Sequence, residues 1–221
     1  MPGHMRYWSS QISRSPMRSE DSMTADPMPS DDRARPRWPV PPPEGYTADD
    51  LERLPDLPPH TELIDGSLVF VSPQMKFHMR VINFLARTLG EQAPVSLEVC
   101  REMTVTLGPR QRPEPDIMIV DAAADAGLEQ TTYRPDDVVL TVEVVSPDSE
   151  ERDRKRKPLL YAEAGIPHFW RIENADDRAV AYVYELDPAT KQYALTGIHH
   201  DRLHLRVPFD IDLDLGRATE R

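Results

Sequence analysis

Val138-Val139-Leu140-Thr141-Val142-Glu143-Val144-Val145 contains no turn former and is dominated by β-branched side chains. Such a run belongs in the middle of a sheet covered on both faces. Asp116 to Val120 is a second short run of the same kind. Together they predict two core strands. Glu143 is the exception within them. A carboxylate in so apolar a strand costs on the order of several kcal/mol unless a cation, a metal or hydrogen bonds compensate it.

Downstream, Asp153 to Ala164 reads as a helix ending at Gly165, a natural residue just past a helix C-terminus, and a strand resumes over His168 to Ile172 after Ile166-Pro167. Ala179 to Glu185, Gln192 to Ile198 and Leu203 to Val207 are expected to form an antiparallel meander. Upstream, Met75 to Leu89 has apolar residues at helical spacing with Lys76, Arg80, Asn83 and Arg87 among them. Val95 to Leu107 alternates like one long, bent strand. Glu62 to Val71 places Asp65-Gly66 between two apolar stretches, a strong hairpin signal. Thr47 with Asp50 marks a capped short helix. The expected class is α/β in the mixed α+β sense: a central mixed sheet flanked by helices, with an N-terminal hairpin and a C-terminal meander.

Residues 1–45 carry nine prolines, with six basic and six acidic side chains that cancel. We expect this stretch to be a disordered tail and 46–221 to be the folded domain. The whole formal charge of −12 then falls on the folded part. Acidity of that size disfavours a broad nucleic-acid-binding surface, because phosphate contacts come from clustered Lys and Arg. The local exception is Arg152 to Lys157, with five cations in six positions, which reads either as a phosphate contact or as a solvated helix entry. A single cysteine, Cys100, excludes an intramolecular disulfide and a Cys-based zinc site. With no long apolar stretch, the expected location is cytoplasmic and no membrane partner is expected.

Three features suggest chemistry. Pro113-Glu114-Pro115-Asp116 is a rigid loop that delivers Asp116 to the start of a buried strand. Glu143 supplies a second carboxylate, and a hard Mg²⁺ or Mn²⁺ ion shared by the two would compensate both. Asp153, Lys157 and Tyr161, four apart, line one helix face that could point at the strand ends, with Lys157 orienting a water or neutralising developing charge. Plainer readings stand beside these. Asp116 fits a turn residue, Glu143 fits a salt-bridge partner of Lys157 or Arg171, and Pro158 biases Lys157 away from helix, so that Lys155 or Arg156 would serve instead. His199, His200 and His204 are a weaker metal candidate, because adjacent strand residues face opposite sides. Trp170 and Tyr184 read as core or rim aromatics.

Taken in order, Glu62-Leu63-Ile64-Asp65-Gly66, Arg112-Pro113-Glu114-Pro115-Asp116, Val142-Glu143-Val144-Val145-Ser146-Pro147, the Asp153, Lys157, Tyr161 triplet and Ala164 to Trp170 resemble the Uma-two family of restriction-endonuclease-type proteins, within the PD-(D/E)XK nuclease superfamily. The resemblance spans Tyr46 to Leu215. It implies a restriction-endonuclease-like fold, an Mg²⁺- or Mn²⁺-dependent endonuclease, and DNA rather than RNA as substrate. By the same likeness Pro115-Asp116 is the PD element and Glu143 the acidic residue of the second element. Val145 stands where that element's lysine would be, which implies that Lys157 takes over. Glu62 matches a recurring glutamate and His78 a position where histidine is frequent, so both join the candidate site. A homodimer is expected, since cutting both strands of a duplex needs two sites. Two other functions keep the same sequence features: a catalytically incomplete nucleic-acid-binding or regulatory module, and an acidic protein-interaction domain.

Overall fold

The structure, a computed structural model, describes residues 40–71 and 74–220. The tail expected over 1–45 therefore lies outside the described residues up to position 39. From Gly45 the chain is engaged: Tyr46 N donates to the Gly66 carbonyl at 2.8 Å, and Tyr46 and Ala48 are buried. Thr47 and Asp50 form the expected capping box at the start of a short 3-10 turn.

The hairpin follows, with β1 (Glu62–Ile64) antiparallel to β2 (Ser67–Val69). Asp65 and Gly66 in its turn have φ of 55° and 78°, the two left-handed residues that a two-residue type I′ turn requires. Helix α1 (Lys76–Gln92) runs three residues past Leu89 and buries Val81, Ile82, Leu85 and Leu89. The long strand expected over 95–107 is instead two, β3 (Leu97–Arg101) and β4 (Thr104–Val105). Glu102, at φ 51°, turns the chain out of the ladder between them. Next come β5 (Ile117–Asp121), the two-residue β6 (Thr132–Tyr133), which pairs with β4, and β7 (Val138–Val144).

A π-helical stretch, Arg152–Arg156, leads into α2 (Lys157–Glu163). Its wider turn explains how Lys157 keeps helical dihedrals in front of a proline. Pro158 has no N–H and its ring would crowd the carbonyl four residues back, and the π turn opens the backbone there. Gly165, at φ 88°, ends the helix as expected. Strands β8 (His168–Ala175), β9 (Arg178–Asp187) and β10 (Gln192–His199) complete a six-stranded sheet in the order β10-β9-β8-β7-β5-β3. Only β7 and β8, joined through α2, are parallel in it, so the sheet is mixed. The expected meander covers β9 and β10. β11 (Arg202–Leu205) leaves that sheet and pairs with a strand the sequence reading overlooked, β12 (Ile211–Asp214).

Side chains alternate across the sheet. Ile117 and Ile119 join Leu140, Val142 and Val144 in the core under α1 and the β11–β12 ribbon. Met118 and Val120 join Tyr161, Ile166 and Phe169 in the core under α2. Both faces are covered, which is why these strands read as continuous apolar runs. Thr141 and Glu143 alternate with Leu140, Val142 and Val144, so Glu143 turns toward the α2 side.

Candidate active site

Asp116 and Glu143 meet because β5 and β7 are antiparallel neighbours. Ile117 pairs with Val142, so the next position outward sets Asp116 opposite Glu143. Asp116 Oδ2 accepts the Val144 backbone N–H at 2.6 Å, and Oδ1 lies 3.2 Å from His78 Nε2 on the first turn of α1. The two acids thus stand in one cleft, not on opposite faces of the sheet.

Helix spacing brings the third candidate in. Asp153, Lys157 and Tyr161 are all buried on the face turned to the sheet. Lys157 Nζ donates to Glu143 Oε2 at 3.0 Å and also lies 2.8 Å from Glu62 Oε1 and 3.5 Å from Asp153 Oδ1. Tyr161 donates its hydroxyl to Glu143 Oε1 at 2.5 Å. Glu62 accepts the Glu114 backbone N–H at 2.9 Å through the same oxygen that faces Lys157. All seven residues singled out in the sequence, Glu62, His78, Asp116, Glu143, Asp153, Lys157 and Tyr161, are drawn into one constellation.

Charge in this constellation is unbalanced. Glu62, Glu143 and Asp153 lie within 3.5 Å of the single Lys157 ammonium, and Asp116 stands beside them on His78, so the four carboxylates exceed that ammonium by a formal three charges if all are ionised. Burial pushes the Glu143 carboxyl well above the ordinary range. Lys157 pulls it back, while Asp153, Asp116 and Glu62 raise it further. Burial also raises Asp153, against the pull of Lys157. For Lys157 burial works the other way, but Glu143, Glu62, Asp153 and Asp116 together hold its proton firmly. Burial opposes charge on His78 too, but Asp116, with Asp153 and Glu102, more than offsets it, so the imidazole sits above its usual value.

A hard divalent cation suits the donors present. Each oxygen of Asp116 and of Glu143 has one partner, and a carboxylate oxygen has room for a second. Asp153 Oδ1 is buried and accepts no hydrogen bond. Among the described residues no three His, Cys, Asp or Glu side chains are already drawn together around an ion's position. The ammonium takes the central place between Glu62, Glu143 and Asp153.

Seven carboxylates line the cleft, and among the described residues its only fixed cations are Lys157 and Arg152. Among the lining residues that sequence reasoning missed, four stand out. Glu114 lies two positions before Asp116 in an extended, proline-bracketed segment, a spacing that puts both on one side. That alternation was the available signal. His60 Nδ1 meets Glu114 Oε1 at 2.5 Å, and this bond raises the imidazole's pKa against the effect of burial. Burial raises Glu114 more than its bond to His60 lowers it. Glu102 and Gln74, bonded to each other at 2.8 Å, close another side. His60, Glu102 and Gln74 come from separate loops, and no local pattern announces them.

The basic cluster is not an open phosphate patch. Arg154 pairs with Glu150 and Glu173, Lys155 with Glu151, Arg156 with Asp65, and Lys157 is internal. Arg171 is engaged by Glu173 and by the face of Tyr182, so Lys157 is the cation that meets Glu143. Trp170 is a core residue, 1% exposed.

The family model described as "Uma2: Putative restriction endonuclease" matches residues 48–216. Among solved structures, four chains match. One is the crystal structure of "a putative nuclease belonging to DUF820 from Anabaena variabilis ATCC 29413", with a TM-score of 0.63 and 19% identity over 79% of this chain and 97% of that one. At that identity the likeness speaks for the fold. No curated protein matches. No helix among the described residues is long and apolar enough to cross a membrane.

Proposed function

The chain belongs to the Uma2 family, and from that premise we propose that it is a divalent-metal-dependent endonuclease acting on DNA in preference to RNA. One observation supports the metal requirement: three buried carboxylates crowd one ammonium in the cleft, with Asp116 beside them, more negative charge than that ammonium balances. Such a deficit is costly to bury, and a doubly charged ion relieves most of it. Asp116 and Glu143 would hold Mg²⁺ or Mn²⁺, which lowers the pKa of a bound water and offsets charge building on the phosphoryl oxygens.

The chain's own groups prepare the acids for that task. Lys157 favours the ionised form of Glu143 against its burial, and Tyr161 fixes the carboxylate's orientation. His78 and the Val144 N–H do the same for Asp116. In the reaction a water oxygen bonds to phosphorus, one phosphoester P–O bond breaks, and the water's proton ends on the departing alkoxide. Lys157 serves as the electrostatic anchor of Glu143, to which it donates a hydrogen bond, and its ammonium is also paired with Glu62 and Asp153. A homodimer would set two such clefts on the two strands of a duplex.

A second reading draws on that same commitment of Lys157. With the ammonium ringed by three carboxylates and Val145 in the usual lysine position, the cleft would serve a nucleic-acid-binding module without turnover. Incubating the protein with supercoiled, linear and single-stranded DNA and with RNA in Mn²⁺, beside Glu143→Gln, separates the two. The nuclease reading expects DNA cleavage by the wild type and none by the variant. Equal cleavage by both, or none of any substrate, contradicts it.

A further inference from the structure

Arg152 is the one cation of the cleft with nothing to hold. It sits half-buried in the first turn of the π-helical stretch and lines the cleft beside Ser146, Ser149 and Asp153. Its side chain makes no hydrogen bond and no ion pair among the described residues, and its Nε is buried without a partner. Its neighbours behave otherwise, since Arg154, Lys155, Arg156 and Lys157 each close on at least one carboxylate. A buried guanidinium N–H left unpaired costs about 1–3 kcal/mol. In a chain rich in Asp and Glu such a donor is easily satisfied by folding, so its lack of a partner here is informative.

We propose that Arg152 is the phosphate seat of the cleft, taking a backbone phosphodiester of the nucleic acid beside the position of the cleaved bond. This deepens the nuclease reading of the same cleft and rests on it for the identity of the ligand. The guanidinium fork matches two phosphate oxygens at once, which a lysine ammonium does not. Lys157 cannot serve, because Glu62, Glu143 and Asp153 occupy it. The carboxylates around the cleft would repel a polyanion, so one unspent cation at this point also sets where along the strand the backbone is admitted. The hydroxyls of Ser146 and Ser149, 2.9 Å apart, lie on the same wall and can turn toward a phosphate oxygen.

The test is fluorescence anisotropy with a fluorescein-labelled DNA duplex in Ca²⁺, over a series of salt concentrations, for wild type, Arg152→Gln, Arg152→Lys and Lys155→Gln. Lys155→Gln removes the same charge three residues away from an exposed, paired site. We expect Arg152→Gln to weaken binding about tenfold and to lower the slope of log K against log salt by about one. Arg152→Lys should recover part of the affinity and Lys155→Gln should stay within about twofold of wild type. Arg152→Gln should also keep its melting temperature and its Mn²⁺ titration. Equal effects of Arg152→Gln and Lys155→Gln overturn the assignment. So does an Arg152→Gln protein that loses Mn²⁺ binding and thermal stability together, or a wild type that does not bind the duplex. A wild type that binds the duplex through Arg152 but takes up no Mn²⁺ leaves the phosphate seat standing and removes the metal-dependent reaction.

Discussion

Lys157 Nζ lies 3.0 Å from Glu143 Oε2, and both side chains are almost wholly removed from solvent, 5% and 2% exposed. An ion pair in such a place is a poor source of stability, because removing two charges from water costs about what their attraction returns. Breaking it is another matter. Lys157→Met keeps most of the volume but strands Glu143, Glu62 and Asp153 without their cation. We expect a loss of about 3–5 kcal/mol in urea unfolding without metal. Mn²⁺ should raise the midpoint of this variant more than that of the wild type. A loss under about 1 kcal/mol would place the ammonium outside the charge network.

Tyr161→Phe removes a single hydroxyl from the same carboxylate. The bond to Glu143 Oε1 is buried and short, and its acceptor is a carboxyl paired with an ammonium. Chemical denaturation should show about 1.5–3 kcal/mol lost, with the remaining ring filling the same space against Phe169. An unchanged midpoint would mean that Glu143 finds a replacement donor.

Protons and metal should compete. Burial holds the Glu143 and Asp153 carboxyls above their ordinary values without an ion. A carboxyl whose folded pKa exceeds its unfolded pKa binds its proton more tightly when folded. Its contribution to stability is therefore complete below the unfolded pKa and is lost as pH rises through the folded one. Metal binding requires the deprotonated form, so ion affinity should rise with pH over that same interval, and binding should release protons. Titrations in two buffers of different ionisation enthalpy measure the release. A pH-independent affinity with no proton release contradicts the coupling.

Gly165 tests the local fold. Its φ of 88° lies where a side chain is strained, yet a Cβ there meets no other atom. Gly165→Ala should cost about 1 kcal/mol through the backbone alone and leave the cleft's chemistry unaltered. A much larger loss would point to a packing role for this position.

How much of this was legible depended on whether the signal was local. The runs at 116–120 and 138–145 announced themselves because both faces of the sheet are covered, and the pairing of those two strands put Asp116 beside Glu143. Asp153, Lys157 and Tyr161 were legible from helical spacing, although Pro158 argued against a helical Lys157. Only the π turn, which no residue pattern encodes plainly, resolved that conflict. Strand β12, and with it the pairing of β11 outside the main sheet, was missed because Ile211 and Leu213 alternate with aspartates over only four residues. His60, Glu102 and Gln74 reach the cleft from loops, so their approach depends on long-range packing.

Isothermal titration of the metal-free protein with Mn²⁺, in parallel with Asp116→Asn and Glu143→Gln, bears most directly on the shared ion. Both substitutions keep the shape of the side chain and remove its charge, and Lys157 retains Glu62 and Asp153 in either, so the fold should survive. Saturable uptake by the wild type that both variants lose, at unchanged melting temperature, is the expected result. Uptake that persists in both variants, or a wild type that takes up no Mn²⁺, would contradict a metal centre between Asp116 and Glu143.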